Sequence, residues 1–374
     1  MASAKEFVTT ALLGADVTVG GSRPQDIVVH DDRFYNRILR YGTLGLGESY
    51  MDGWWDVQAL DVFIHSVLDA HLEKTVERNL ASSVAVATAR LFNLQSSARA
   101  FIVGEAHYDL GNDLYKAMLD KRMVYTCGYW SGTPRATTLD AAQEAKLDLI
   151  CRKVGLKAGD RVLDIGCGWG SFAQFVAERY GASVVGITIS KEQAVLARER
   201  CAGLPVEIRV QDYREVDEKF DHLISIGMFE HVGVKNYRDY FEMAHRCLKD
   251  GGIFLLHTIG DNVSCVTGDP WMNKYIFPGG MLPSVAQIGK GIEGLFVMED
   301  WHNFGADYDK TLMAWFENFN RAWPALREKY GDRFYRMWKY YLLTCAGFFR
   351  ARHIQLWQIV LTKDGFPGGY TGVR

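Results

Sequence analysis

Two polar residues stand where apolar strands give out. Glu230, in "MFEHVG" (228–233), follows "FDHLISIG", and His257 lies in "IFLLHTIG", one apolar stretch later. In open α/β folds ligands collect outside the carboxyl ends of parallel strands. A carboxylate and an imidazole there are groups able to hold or move a proton. A lone histidine at the end of an apolar strand is ordinarily a satisfied core residue, and its place one strand beyond Glu230 is what singles out His257. His231, adjacent to Glu230, reads as scaffold.

A second constellation is "VLDIGCGWG" (162–170), an acid followed by three alternating glycines between an apolar strand and a helix. Glycines in a strand-to-helix turn let a backbone approach a ligand closely. A dinucleotide fingerprint would run GxGxxG. The order here, DxGxGxG, instead resembles class I S-adenosylmethionine-dependent methyltransferases. That resemblance assigns Asp164, Gly166, Cys167, Gly168, Trp169 and Gly170 to the cofactor. Many such enzymes end the next strand in an acid that holds the ribose, but here it reads "GITISKEQ". Thr188, Ser190 and Gln193 are candidates for that work. Ser190 and Gln193 also have the spacing of a capping box, and both roles stand open. After the third strand, Gln211, Asp212 and Tyr213 are expected near the adenine.

The elements that position these groups alternate. "TTLDAAQEAKLDLICRKVG" reads as a helix with Leu147, Ile150, Cys151 and Val154 on one side. Strands at "RVLDIG", "SVVGITIS", "VEIRV", "FDHLISIG" and "IFLLHTIG" are separated by helices at "SFAQFVAERYG", "KEQAVLARERC" and "KNYRDYFEMAHRCLKDGG". "LFVMEDWHN" and "IQLWQIVLT" add two strands, expected antiparallel. This predicts an α/β class: a doubly wound, mostly parallel, seven-stranded sheet over residues 96–374. Residues 1–95 predict a smaller helical domain. Within it, "YGTLGLGESYMDGWWD" reads as a packed turn region and "LDVFIHSVLDAHLE" as an amphipathic helix.

The chain has 374 residues, 48% hydrophobic, with a formal net charge of −3. No global basic field draws nucleic acid. Seven cysteines, odd in number and without a CxxC pair, argue against a disulfide framework and against a metal site, and fit a reducing cytosol. No apolar run is long enough to span a bilayer, and the start lacks the pattern of a signal peptide. The expectation is a cytoplasmic protein, able to lie on a membrane surface.

Longer motifs narrow the resemblance. "GLGESYMDGWWD", "HYDLGNDLY", "YTCGYW", "MFEHVG", "LLHTIG", "DPWMNKYIFPGG", "DWHNFGADYDKTLMAW" and "CAGFFRARHIQLWQ" run in order from about residue 40 to 361. Together they resemble the bacterial cyclopropane-fatty-acyl-phospholipid synthases. The resemblance implies transfer of a methylene from S-adenosylmethionine to a cis double bond of a phospholipid acyl chain. It implies a bound bicarbonate as base, held by Glu230, His257, Tyr308 and the main chain of Cys127 and Ile259. It places Tyr125 and Thr126 at the cofactor and a cysteine at Cys345, which reads as helix packing at the border of the site. The insertion 258–295 is expected to line an acyl channel with Trp271, Tyr275, Ile276 and Phe277. The same family suggests a homodimer, associated peripherally and reversibly with the inner face of the membrane. The three arginines of "RFYNRILR" are a weak signal for that surface, and a solvated helix face explains them equally well.

Overall fold

β3 (Arg161–Ile165) is buried on both faces, as a strand covered on both sides is. It is the centre of the larger of two units in the computed structural model, which describes residues 3–72 and 111–374. Among the described residues that unit comprises 111–265, 279–307 and 355–374, and the smaller one comprises 3–72, 266–278 and 308–354. The expected boundary near residue 95 lies outside the described residues.

In the larger unit, β3 pairs in parallel with β4 (Ser183–Thr188) and with β6 (Phe220–Ile226). β5 (Val206–Val210) lies parallel beyond β4, and β7 (Leu248–Asp261) parallel beyond β6. β8 (Val297–Asn303) and β9 (Ile354–Thr362) pair antiparallel. The order is β5-β4-β3-β6-β7-β9-β8, the expected seven strands. The strand order turns back at β3, and the ligand crevice of such a sheet lies beside that reversal.

Before the sheet come α4 (Asn112–Met118) and α5 (Leu139–Lys153), the latter capped by Thr138 accepting from Ala141 N–H. Leu147, Ile150, Cys151 and Val154 are buried against β3 and α6 (Ser171–Tyr180) in one apolar cluster. α7 (Lys191–Arg200) follows β4, and α8 (Tyr237–Cys247) follows β6. α8 stops earlier than the pattern predicts. "LKDGG" opens β7 instead, because Leu248 pairs with Phe220 ahead of an irregularity in the ladder. α10 (Val285–Ile292) starts on a full capping box, Ser284 with Gln287.

The smaller unit is helical with one exception, a two-stranded antiparallel ribbon of β1 (Ile27–Val29) and β2 (Trp55–Val57). α1 (Ala4–Gly14), α2 (Arg33–Met51) and α3 (Leu60–Asp69) come from the N-terminal segment. α9 (Pro270–Tyr275), most of α11 (Ala306–Tyr330) and α12 (Asp332–Arg350) come from the later segments. The glycine-rich piece read as a turn is instead mostly helix, since α2 continues through it past a kink at Gly42, where φ is +55°. At Gly47 a Cβ would lie 2.4 Å from the Trp271 ring, so glycine is what admits that indole.

The arginines of "RFYNRILR" are largely committed to this unit. Arg33 pairs with Asp31, and Arg37 with both Glu48 and Asp52. Arg33 and Arg40 are exposed, as on a solvated face, whereas Arg37 is largely covered in its ion pairs.

Candidate active site

The Gly-rich turn is held by the sheet itself. Gly166 N–H and Cys167 N–H both donate to the Ile187 carbonyl of β4, at 3.0 and 2.9 Å. Gly166 has φ +84°, and a Cβ there would meet Met228 at 2.7 Å, whereas one at Gly168 would meet nothing within 4 Å. Gly170 caps α6 in the left-handed region. Trp169 is anchored by its indole N–H to Asn112 Oδ1 at 3.0 Å, and Tyr115 packs against both Trp169 and Tyr125.

Asp164, on β3, is 1% exposed, and its Oδ2 has no hydrogen-bond partner among the described residues. Burial pushes its carboxyl up to about 7, against the opposing pull of the Lys146 ammonium. A buried, incompletely partnered carboxyl beside an open glycine loop fits the ammonium of S-adenosylmethionine.

Thr188, Ser190 and Gln193 are all buried. Ser190 caps α7 by accepting from Gln193 N–H, but the reciprocal half of the expected box is missing. Gln193 Oε1 instead accepts from the Thr188 hydroxyl at 3.1 Å, and Ser190 N–H donates to Thr188 Oγ1 at 3.2 Å. The three form one buried network at the end of β4. Gln211 N–H donates to the Thr188 carbonyl, which brings the next strand end to the same place. Asp212 is engaged by Arg214 through both its N–H and its guanidinium, at 2.9 and 2.8 Å. Tyr213 packs edge-on against Tyr240.

The second constellation lies one and two strands over. Glu230 sits in a single 3-10 turn after β6, buried, with Oε1 accepting Ile259 N–H at 2.7 Å. Its Oε2 has no partner among the described residues, and burial raises the carboxyl to about 7. His257 is opposite Ile226 within β7, four residues before that strand ends rather than at its end. Its Nδ1 lies 3.2 Å from Gln358 Nε2, and its Nε2 is unpartnered among the described residues. Burial drives the imidazole well below its ordinary value, and the nearby Lys146, Lys153 and His302 add to that push. Burial and these charges thus favour the neutral imidazole. His231 is pulled down to about 4 by burial alone.

Pattern reading passed over the residues beneath this site. Lys146, on α5, is fully buried, and its ammonium donates to Thr126 Oγ1 at 2.8 Å. Gln143, one turn earlier, donates to the Thr126 carbonyl at 2.7 Å. Together they hold "YTC" over the end of β6, where a Cβ on Gly227 would meet the Thr126 methyl at 2.6 Å. Cys127 is fully buried in that segment. A signal was available: 143 and 146 precede Leu147 and Ile150 by four, so both polar residues lie on the apolar face of α5. Lys153 is also buried, 3.0 Å from His302 Nδ1, and its ammonium falls to about 7 through burial.

Glu230, Ile259, His257, Thr126, Cys127 and Asp164 all belong to the larger unit, whereas Tyr308, Cys345 and the four aromatic and aliphatic residues of the insertion belong to the smaller. Tyr308 stacks on Phe349 with centroids 4.5 Å apart. Cys345 lies on α12, its thiol pushed up by burial and then by Asp269. Trp271 is buried against Tyr275 and Tyr340, Tyr275 donates its hydroxyl to Glu48 at 2.8 Å, and Phe277 meets Tyr341 edge-on. Ile276 is buried. Among the described residues no cluster has the composition of a metal site.

This sheet order and this glycine loop define a class I S-adenosylmethionine-dependent methyltransferase. More narrowly, the chain belongs to the mycolic acid cyclopropane synthetase family, whose model matches residues 95–359. It is 56% identical over 349 residues to the cyclopropane-fatty-acyl-phospholipid synthase of Escherichia coli (strain K12), spanning 93% of this chain and 91% of that one. It is 33% identical to the tuberculostearic acid methyltransferase UfaA1 of Mycobacterium tuberculosis over 95% of this chain and 88% of that one. Among solved structures, the mycolic acid cyclopropane synthase CmaA1 complexed with SAH and CTAB matches with a TM-score of 0.64 and 32% identity, covering 70% of this chain and 98% of that one.

Proposed function

We propose that this chain converts cis double bonds of phospholipid acyl chains to cyclopropanes, with a bound bicarbonate as base. S-adenosylmethionine, when bound, supplies an electrophilic methyl group on a sulfonium. The alkene π pair forms the new C–C bond as the S–C bond breaks onto sulfur, leaving a carbocation in the acyl chain. Loss of a proton from the added carbon lets that C–H pair close the ring. Bicarbonate, when bound, supplies the base for that proton.

The task of the protein is to orient and to keep dry. An alkene is a poor nucleophile, so alignment and desolvation carry much of the rate. Water at the cation would give an alcohol. The observation that carries the reading is a pair of buried polar atoms, Glu230 Oε2 and His257 Nε2, that have no partner among the described residues and lie at the carboxyl side of β6 and β7. Ionised Glu230 accepts the anion's hydroxyl, and His257 offers an N–H to one of its oxygens. Within the larger unit the set is completed by the main chain of Cys127 and Ile259. Ile259 N–H already meets Glu230, so it acts by sharing or by exchange. Lys146 adds a buried positive charge that favours an anion nearby.

We assign Trp271, Tyr275, Ile276 and Phe277 to the acyl channel, and the N-terminal segment to bilayer approach or dimerisation. Among the described residues no helix is long and apolar enough to cross a membrane. A homodimer acting peripherally at the cytoplasmic face is the assembly that suits an acyl-chain substrate. The much higher identity to the E. coli synthase than to the tuberculostearic acid methyltransferase favours ring closure over a methyl branch.

The test is to incubate the protein with S-adenosylmethionine and vesicles of a monounsaturated phospholipid, with and without bicarbonate. Released fatty acids are analysed by mass and proton NMR. A gain of one methylene with upfield ring protons supports the reading, as does loss of rate in bicarbonate-free buffer. A retained alkene with no added carbon sinks it.

A further inference from the structure

Gln358 is one of three polar residues in the strand "IQLWQIVLT", with Gln355 and Thr362, and it is completely buried. It lies on β9, the sheet neighbour of β7, where His257 resides. Its side chain spans that gap, with Nε2 3.2 Å from His257 Nδ1, while its own Oε1 has no partner among the described residues. Burying an amide with an unsatisfied oxygen is costly, so apolar residues would suit the strand better by packing alone. The contact with His257 is what the amide provides.

Two arrangements fit a Gln–His contact. In one the amide N–H donates to Nδ1, which places the imidazole proton on Nε2. In the other Nδ1–H donates to the amide oxygen, which leaves Nε2 a bare acceptor. The surroundings separate them. Among the described residues Nε2 has no partner, and neither has the acceptor Oε2 of the nearby Glu230. A bare Nε2 would add a second acceptor to a site that must hold an anion. An Nε2–H supplies the missing donor. Double protonation is opposed by burial first, and then by the charges of Lys146, Lys153 and His302.

We infer that Gln358 is a positioning residue that fixes His257 as the Nε2–H tautomer, so that the imidazole serves the site as a neutral hydrogen-bond donor. That the site holds an anion, and so the choice of tautomer, rests on the function proposed above; the Gln358–His257 contact does not. Orientation of a ring nitrogen by a hydrogen bond at the other is a general device for setting what the reactive nitrogen does.

The experiment is two-bond proton–nitrogen NMR on the full chain labelled with nitrogen-15 histidine, with the His257 signal identified by its loss in His257→Asn. The expected result is a protonated Nε2 and a bare Nδ1. In Gln358→Glu the carboxylate accepts, drawing the proton to Nδ1 and inverting the tautomer. Kinetics in that variant are expected to show the KM for bicarbonate raised roughly 10- to 100-fold, with affinity for S-adenosylhomocysteine unchanged. Gln358→Met, which keeps the shape, is expected to give a mixture of tautomers and a smaller loss. Protonated Nδ1 in the unsubstituted protein overturns the inference, and so does an uninverted tautomer in Gln358→Glu. If that variant inverts and loses turnover while the unsubstituted enzyme ignores bicarbonate, the bicarbonate reading fails and the Gln358 assignment stands. Because the first measurement needs no variant, poor folding of the substituted chains leaves it decisive.

Discussion

Glu230 Oε1 accepts Ile259 N–H at 2.7 Å, just beyond the last β6–β7 pair, Ile226 with His257. A side chain thus takes over the ladder where the strand backbone departs. One carboxylate oxygen is fixed by the sheet, and the other is left facing the site.

That arrangement makes Glu230→Gln informative. The amide oxygen retains the Ile259 contact while the second position becomes an N–H donor, unable to accept a hydroxyl proton from the anion. Turnover is expected to fall roughly 10- to 100-fold, the cost of one charge-assisted hydrogen bond, and to recover in part at high bicarbonate. Steady-state rates across a bicarbonate series check this; unaltered turnover rejects the anchoring role.

The same substitution has a pH signature in stability. Glu230 is raised from 4.5 to about 7 by burial, so between those values the folded state holds a proton that the unfolded state has lost. Its contribution therefore becomes less favourable as pH rises from 4.5 to 7, and is level outside that window. Gln does not titrate. The stability of Glu230→Gln relative to the parent is thus expected to climb across pH 4.5–7, by at most about 3 kcal/mol. Urea unfolding of both ligand-free proteins at pH 4.5, 6 and 7.5 measures it, and a constant gap is the contrary result.

Lys146→Met removes the ammonium that donates to Thr126 and offsets the buried Asp164 carboxylate. Without it, Asp164 is held protonated more strongly and offers less charge to a cationic ligand. Affinity for S-adenosylhomocysteine at pH 7 is expected to drop roughly tenfold or more, read by calorimetry. Unchanged binding would remove Lys146 from the cofactor's electrostatics.

Gly260→Ala tests packing beneath the site. The added Cβ would lie 1.9 Å from the Trp357 ring, a rigid neighbour. A loss of about 1–3 kcal/mol is expected, visible as a lower denaturation midpoint, and Trp357→Leu in the same chain is expected to restore part of it. Equal midpoints for Gly260→Ala and the parent would show that the ring moves freely.

Much of this was legible in the chain because it is local. The apolar runs of β3, β4, β6 and β7, the helices between them and the glycines after β3 follow from periodicity and from backbone conformations that only short stretches need to satisfy. Glu230 could be picked out because the end of β6 defines a sheet edge before any side chain is placed; His257 was singled out beside it, although β7 runs on past it. The ends of α8 and the glycine-rich stretch of α2 were misread for one reason: Leu248 is claimed by Phe220, and Gly47 by Trp271, partners far away in sequence.

The sequence by itself determined a class I methyltransferase sheet and its glycine loop, and it singled out an acid and an imidazole as candidates. Only the tertiary structure decided their chemical states. Gln358 meets His257 across 101 residues, Lys146 reaches under Thr126, and Ile259 takes one oxygen of Glu230. Protonation depends on burial and on which charges stand nearby, and both are set by the order of strands in the sheet rather than by the order of residues in the chain.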